Sequence, residues 1–189
     1  TYVLSAQNHK DSNEEAEEEE ALFNAGLLYK DELDDYINAE KHWLRALEIC
    51  ERLAKEDPAK YSGELAVACN NMGSLYRNLG QYDKAEEYYL RALEIREYLA
   101  KENPEKYNER LVMTICNLGL LSLINEKIEK GCEQLCRAFE MCNKNGNKRK
   151  AAEICKLLVK VYVQSGDEEN AKKFAQEAER LRKELNEKK

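Results

Sequence analysis

The sequence repeats itself with a period of 46 residues. Shifted by that distance, RALEICERLAKEDPAKY (Arg45 to Tyr61) lies over RALEIREYLAKENPEKY (Arg91 to Tyr107). Further matching pairs are Tyr36 and Tyr82, Ala39 and Ala85, Ala46 and Ala92, Asn71 and Asn117, and Gly73 and Gly119. Gly26 is one residue out of register, so the first turn carries an extra residue. Because repeats of this length are stacked supersecondary units, the period restricts the chain to a repeat architecture.

Each copy is predicted to consist of two helices joined by a short turn. Apolar residues recur at steps of three and four, and segments such as RNLGQYD and VQSGDEE interrupt them. Asp57-Pro58 and Asn103-Pro104 have the pattern of a helix N-cap followed by proline at the first helical position. We expect helices near residues 13–31, 34–55, 58–79, 83–102, 105–125, 128–144, 147–165 and 168–186.

The first helix has a candidate starting signal. Ser12 and Glu15 have the spacing of a capping box, so residues 1–12 are expected to form a flexible tail. A single domain is expected over residues 13–189, with repeats at about 13–57, 58–103, 104–144 and 147–186. Tyr162, Gly166, Ala171 and Ala178 mark the weaker fourth copy.

Small residues recur where two helices of a pair are expected to meet. Gly73 and Ala85 lie on opposite helices of the second copy and remove side-chain bulk there, while tyrosines and leucines fill the space beside them. Trp43 takes the aromatic position that Tyr89 takes one copy later, so we expect it in the core. Small residues therefore set the predicted helix spacing.

Seven residues of the second copy resemble the signature of the tetratricopeptide repeat. That signature of small and aromatic residues is met by Gly73, Tyr76, Gly80, Tyr82, Ala85, Tyr89 and Ala92. The resemblance covers about residues 20–182 and looks most like the long-repeat branch typified by kinesin light chains. It implies an all-α, right-handed superhelical solenoid of four antiparallel helix pairs, whose first helices line a concave face. Because a period of 46 residues exceeds the usual length in that branch, we expect longer helices.

The concave face implied by the resemblance carries a row of asparagines. Asn24, Asn71 and Asn117 each lie two residues before the glycine of their copy. An amide offers both a donor and an acceptor, so such a row can pair with the backbone of an extended peptide. The alternative is that each amide bonds a neighbouring helix or faces water. The predicted peptide-binding groove consists of Asn24, Leu27, Lys30, Asn70, Asn71, Ser74, Arg77, Cys116, Asn117, Leu120, Leu123, Lys156 and Lys160.

The sequence predicts a protein-interaction scaffold that binds an extended or short helical peptide of a partner protein. The alternative is a structural or oligomerisation segment of a larger regulatory protein, with no peptide ligand of its own. The sequence contains no phosphate-cradling glycine loop, metal-binding helix motif or nucleophile elbow, so we expect neither enzymatic activity nor a cofactor. Phe23 and Leu27 replace the Lys and Asn that chaperone-tail binders of the family use to clamp a carboxylate, which disfavours that role.

Charge is unevenly distributed along the chain. The net charge is −7, and residues 1–100 hold 11 Lys and Arg against 22 Asp and Glu. Clustered cations drive nucleic-acid binding through counterion release, so nucleic acid is not expected as a partner. No apolar run approaches the roughly 20 residues of a membrane span, so no membrane contact is expected either. The acidic run at residues 14–20 and the basic residues Lys144 and 148–150 are expected to be solvated; if they paired instead, weak salt-sensitive self-association would result.

The seven cysteines are interpreted as reduced thiols. Their number is odd and no secretory leader precedes them, so we expect a cytoplasmic protein without a disulfide framework. Cys69 and Cys155 fall at core positions, whereas Cys132 aligns with Glu86, a position expected to be exposed. The later cysteines have no histidine nearby and form no CxxC pair, so no metal site is predicted.

Overall fold

A computed structural model of the chain describes the backbone of residues 2–186 and the side chains of residues 12–186. Helices and turns, and no strands, make up this part of the chain, as the sequence predicts. The helices are α1 (Tyr2–Asp31), α2 (Tyr36–Glu56), α3 (Pro58–Asn78), α4 (Tyr82–Glu102), α5 (Pro104–Ile124), α6 (Ile128–Lys144), α7 (Lys148–Ser165) and α8 (Glu168–Asn186). Helices α2 to α5 have 21 residues each, which confirms the longer helices expected from the period.

The first helix begins earlier than predicted. Helices α2 to α8 begin and end within two residues of their expected bounds, but α1 already begins at Tyr2. The capping box is therefore wrong: Ser12 lies inside α1, and its Oγ donates to Glu56 Oε2 at 3.3 Å instead of capping. The segment expected to be a tail is helical from Tyr2 onward, while Thr1 and the side chains up to Asp11 lie outside the described residues.

Two N-caps fix where α3 and α5 begin. The side chain of Asp57 accepts a hydrogen bond from the backbone N–H of Lys60 at 3.1 Å, and Asn103 accepts one from Lys106 at the same distance. Proline follows each cap at the first helical position, where its missing N–H has no helical partner to lose. These contacts confirm the two start signals read from the sequence.

Helices that follow one another along the chain pack together within two compact units. Unit 1 is Thr1–Leu99 and unit 2 is Ala100–Lys189. In unit 1, α1 packs on α2 and α2 on α3, and Gly73 of α3 meets Tyr89 of α4. In unit 2, α5 packs on α6, α6 on α7 and α7 on α8. The four predicted helix pairs are present.

Glycines on the first helices receive large side chains from the second helices. A Cβ added at Gly73 would lie 2.6 Å from Cδ1 of Tyr89, and one at Gly26 would overlap the indole of Trp43. Trp43 is in the core, as expected, and its Nε1 donates to the carbonyl of Phe23 at 3.1 Å. The glycine thus makes room for an aromatic ring. Ala39, Ala46, Ala85 and Ala92 of the second helices are at most 1% exposed.

The turns inside the pairs share a left-handed residue. Glycine supplies it in the α3–α4 and α7–α8 turns, with φ of 72° at Gly80 and 79° at Gly166. Asp34 (φ 51°) and Glu126 (φ 58°) occupy this conformation in the α1–α2 and α5–α6 turns. Four residues separate α1 from α2 and three separate α3 from α4, which confirms the extra residue in the first turn.

Candidate functional site

Two of the three predicted asparagines lie in unit 1, on its first helices. Asn24 of α1 is exposed and Asn71 of α3 is half-buried. Each lies two residues before the glycine that packs on the second helix of its pair, and two residues correspond to about 200° around a helix. Both amides therefore point away from the second helices. Within residues 12–186, neither side chain makes a hydrogen bond to the chain.

The other predicted residues of unit 1 divide into accessible and buried ones. Leu27, Ser74 and Arg77 are half-buried, and Lys30, also half-buried, pairs with Asp31 next to it. Asn70 is only 7% exposed, and its Oδ1 accepts from Nη1 of the buried Arg96 at 3.5 Å. The Asn70 amide is therefore turned into unit 1 and presents little surface to a ligand.

In unit 2 the predicted residues lie on α5 and α7. Asn117 and Leu120 are half-buried, and Lys156 and Lys160 are exposed on α7. Leu123 lies against Gly131 of α6, where a Cβ added to the glycine would be 2.6 Å from the leucine Cδ2. Cys116 is buried, and burial raises the pKa of its thiol. Leu123 and Cys116 thus serve packing inside unit 2.

Sequence reasoning missed a cavity of about 550 Å³ in unit 2. It lies between the N-terminal half of α5, the end of α6 and the start of α7, and Val112, Met113 and Cys142 supply its apolar wall. Amides and charges complete the lining, among them Asn108, whose Nδ2 donates to Oδ1 of Asn145 at 3.3 Å. Met113 precedes Asn117 by four residues, so the two share a face of α5. Nothing in the repeat pattern singles out these residues.

The acidic run at residues 14–20 is not the solvated helix start that the sequence suggested. It lies in the middle of α1, and two of its carboxylates pair with arginines of α2. Glu15 is 2.7 Å from Nη1 of Arg52, and Glu18 is 3.6 Å from Nε of Arg45. In the basic segment at residues 144–150, Lys148 of α7 pairs with Glu184 of α8. Parts of both charged segments are therefore engaged within their own units.

All seven cysteines are free thiols, and one of them is placed differently from expectation. Cys69 and Cys155 are fully buried, as predicted. Cys132 was expected to be exposed, but it is 7% exposed, and burial raises the pKa of its thiol. The equivalent residue of the first copy, Glu40, accepts a hydrogen bond from the hydroxyl of Tyr76 on the next helix at 2.7 Å. This position therefore faces the following repeat, and in unit 2 the Cys132 thiol interacts with the hydroxyl of Tyr162 on α7.

The described helices show neither a metal site nor a membrane span. Among residues 12–186, no three His, Cys, Asp or Glu side chains are grouped so that they could hold a metal ion. No helix in the described range is both long and apolar enough to cross a bilayer.

Family models match two of the helix pairs. A tetratricopeptide-repeat model matches residues 66–99 in α3 and α4, and a second model of the same repeat matches residues 152–185 in α7 and α8. The chain contains tetratricopeptide repeats. No curated protein sequence matches the chain.

Several solved structures share the fold of this chain. Aspartyl phosphate phosphatase F from Bacillus subtilis superposes with a TM-score of 0.74 at 15% identity, over 90% of this chain and 41% of its own length. The Rap conjugation gene regulator of plasmid pLS20, in complex with a Phr peptide, gives a TM-score of 0.62 at 17% identity, over 83% of this chain and 40% of its own length. A putative kinesin light chain of Podosopora anserina with TPR-like repeats gives a TM-score of 0.55 at 12% identity, over 97% of this chain and 94% of its own length. These likenesses confirm the predicted fold class, an all-α superhelix of repeated helix pairs.

Proposed function

We propose that this chain is a non-catalytic protein-interaction module whose first helices bind an extended or short helical peptide of a partner protein. The observation that carries the proposal is the pair of amides on α1 and α3, Asn24 and Asn71, which are directed away from the second helices and make no hydrogen bond within the described chain. The pLS20 regulator, which has the same fold, was solved with a peptide bound. Its peptide supports this class of ligand.

Backbone pairing would supply part of the affinity. Each amide can donate to a peptide carbonyl and accept from a peptide N–H, so recognition does not depend on the sequence of the ligand at those points. In unit 1, Leu27 of α1 adds apolar contact beside Asn24; in unit 2, Leu120 of α5 does the same beside Asn117. Because the helices are packed before binding, most of the ordering entropy is lost by the peptide.

The cavity of unit 2 would take a side chain of a peptide bound along α5 of that unit. Its apolar wall of Val112, Met113 and Cys142 suits a branched or aromatic side chain, and its amides can orient the peptide backbone. A volume of about 550 Å³ is within the range of small-ligand sites. Sequence preference would therefore come from such cavities, while the asparagines contribute affinity.

The test uses peptides selected from a random library of 12-residue sequences on immobilised protein. The variant Asn24→Ala/Asn71→Ala should bind the selected peptides about 30-fold more weakly, since each lost polar contact costs roughly 1 kcal/mol and two are lost. The control Asn143→Ala/Asn186→Ala removes two exposed amides from second helices and should bind like the wild type. Unchanged affinity of the first variant, with unchanged helicity by circular dichroism, would refute the role of the amides.

One form of the alternative function, oligomerisation through charge, would use the acidic run at residues 14–20 and the basic residues Lys144 and 148–150. Because Glu15, Glu18 and Lys148 already have partners inside their units, fewer charges are available for head-to-tail contact, which favours peptide binding. Light scattering between about 50 mM and 500 mM salt distinguishes the two functions. The Debye length shortens as salt increases, so association driven by exposed charges weakens. A dimer that dissociates with salt would support the alternative. We further propose a cytoplasmic location, because free thiols persist in a reducing compartment.

A further inference from the structure

A second cavity lies in unit 1, between the helices that carry Asn24 and Asn71. It has a volume of about 370 Å³ and is formed by α1, the end of α2 and the start of α3. Its polar lining comes from Glu19 and Glu20 of α1 and from Lys60, Tyr61 and Glu64 of α3. The tetratricopeptide model matches the chain only from residue 66 onward, so the α3 residues of this cavity lie outside the matched repeat.

The cavity has an excess of negative charge that the side chains of residues 12–186 do not neutralise. Three carboxylates and one ammonium group, that of Lys60, line the cavity. Lys60 Nζ lies 4.5 Å from the centre of the Tyr61 ring. Within residues 12–186, none of the three glutamates forms an ion pair. Their neighbours Glu15 and Glu18 face α2 and do form ion pairs with arginines. The acidic run is thus divided between a paired face and a cavity face.

Two groups in the cavity, the Tyr61 hydroxyl and the half-buried Glu19 carboxyl, would be stabilised by a further donor. Tyr61 is 7% exposed, and its hydroxyl has no hydrogen-bond partner among the described residues. Burial raises the pKa of the Glu19 carboxyl, a hydrogen bond from Cys50 opposes this, and the charges of Glu64 and Glu20 raise it further. A buried hydroxyl and crowded carboxylates are both stabilised by a donor that carries positive charge.

The cavity lies on the same helix faces as the asparagines. Glu20 precedes Asn24 by four residues on α1, and Glu64 precedes Asn71 by seven on α3. Separations of four and seven return to the same side of a helix. A peptide paired with the two amides therefore runs past the cavity, about one to two helical turns away.

We propose that this cavity binds the guanidinium group of an arginine side chain in the partner peptide. The inference rests on the proposed peptide-binding function and names the chemistry of the ligand. A guanidinium offers five donors in a plane, so it can make two hydrogen bonds to each of two carboxylates and one to the Tyr61 hydroxyl, whereas the three donors of an ammonium cannot pair with both carboxylates in this way. The formal charge of residues 1–100, 11 cations against 22 anions, also favours a basic ligand.

The experiment uses the library-selected peptides and two protein variants. Arginine should be enriched at one peptide position, and replacing it by citrulline, its neutral isostere, should weaken binding to the wild type about tenfold by fluorescence anisotropy. The variant Glu19→Gln/Glu64→Gln should bind both peptides equally. The control Glu17→Gln/Glu94→Gln changes the charge by the same amount at two exposed positions and should keep the preference. Circular dichroism verifies that each variant is folded.

Each outcome decides a different claim. If peptides bind and depend on Asn24 and Asn71, but arginine and citrulline forms bind alike, the cavity proposal is overturned and the peptide-binding function stands. If the library yields no binder, both fail. If spermidine binds the wild type as tightly as the arginine peptide and loses affinity for the Glu19→Gln/Glu64→Gln variant, the cavity is a polyamine site and the peptide assignment is wrong.

Discussion

Replacing Gly73 by alanine should destabilise the protein, although alanine is the better helix former. Gly73 lies inside α3, five residues before its last residue Asn78, and the exchange alone would gain about 1 kcal/mol from helix propensity. The added Cβ, however, would lie 2.6, 2.7 and 2.8 Å from three atoms of the Tyr89 ring, which is fully buried. Ordinary contact requires about 3.5–4.0 Å, so the ring or the helix must move by roughly 1 Å.

The steric cost should exceed the gain from propensity. Overpacking a filled core costs about 1–3 kcal/mol, and the upper end applies because three atoms of one rigid ring are hit together. After the propensity gain is subtracted, we expect a net loss of about 2 kcal/mol in the free energy of unfolding. In a domain of this size that corresponds to a fall in melting temperature of roughly 4–8 °C.

Urea denaturation followed by circular dichroism at 222 nm measures the loss. Ala175→Gly, at an exposed helical position of α8, reports the propensity difference where no ring is present. In the background of Tyr89→Leu, Gly73→Ala should cost at least about 1 kcal/mol less, because the smaller side chain makes room. A Gly73→Ala protein that is as stable as the wild type, or more so, would show that the glycine does not accommodate the ring.

Three further predictions concern a cap, a buried carboxyl and a thiol. Asp57→Ala should lower the free energy of unfolding by about 1 kcal/mol and Asp57→Asn by less, since Asn103 caps α5 in the same way; equal losses in urea melts would contradict this. Glu19→Gln should raise the free energy of unfolding at neutral pH, because burial raises the pKa of Glu19 and its ionisation therefore destabilises the folded state. In thermal melts across pH, the difference between variant and wild type should vanish below the unfolded pKa of 4.5. A difference that grows on acidification would contradict a raised pKa. Cys132 should react with iodoacetamide more slowly in the native protein than in urea, and equal rates measured by mass spectrometry would show it to be accessible.

The sequence predicted the elements well because its local signals agree with its repeat. The Asp57-Pro58 and Asn103-Pro104 steps begin α3 and α5, and the period transfers each assignment to the next copy. The start of α1 was missed because Ser12 and Glu15 have the spacing of a capping box. In the structure both side chains contact α2 instead: Ser12 bonds Glu56, and Glu15 pairs with Arg52. A local pattern contains no information on such partners.

The sequence predicts which helix face each candidate residue occupies, but not what its side chain contacts. Counting two residues back from the glycine found Asn24 and Asn71, because helical geometry alone turns such residues away from the second helix. Counting three back found Asn70, which instead bonds the buried Arg96, a residue of α4 that no periodicity links to it. The cavity of unit 1 was also missed, since it requires α1, α2 and α3 to be brought together.

The left-handed residues in the turns offer a route to a more robust protein. Asp34 and Glu126 hold a backbone conformation that costs a residue with a Cβ about 1 kcal/mol, and Gly80 and Gly166 hold it freely in the turns of the other pairs. Glycine at the two non-glycine positions is a conservative engineering step that leaves every helix face untouched. Because one turn belongs to each unit, each substitution alters the thermal stability of one unit at a time.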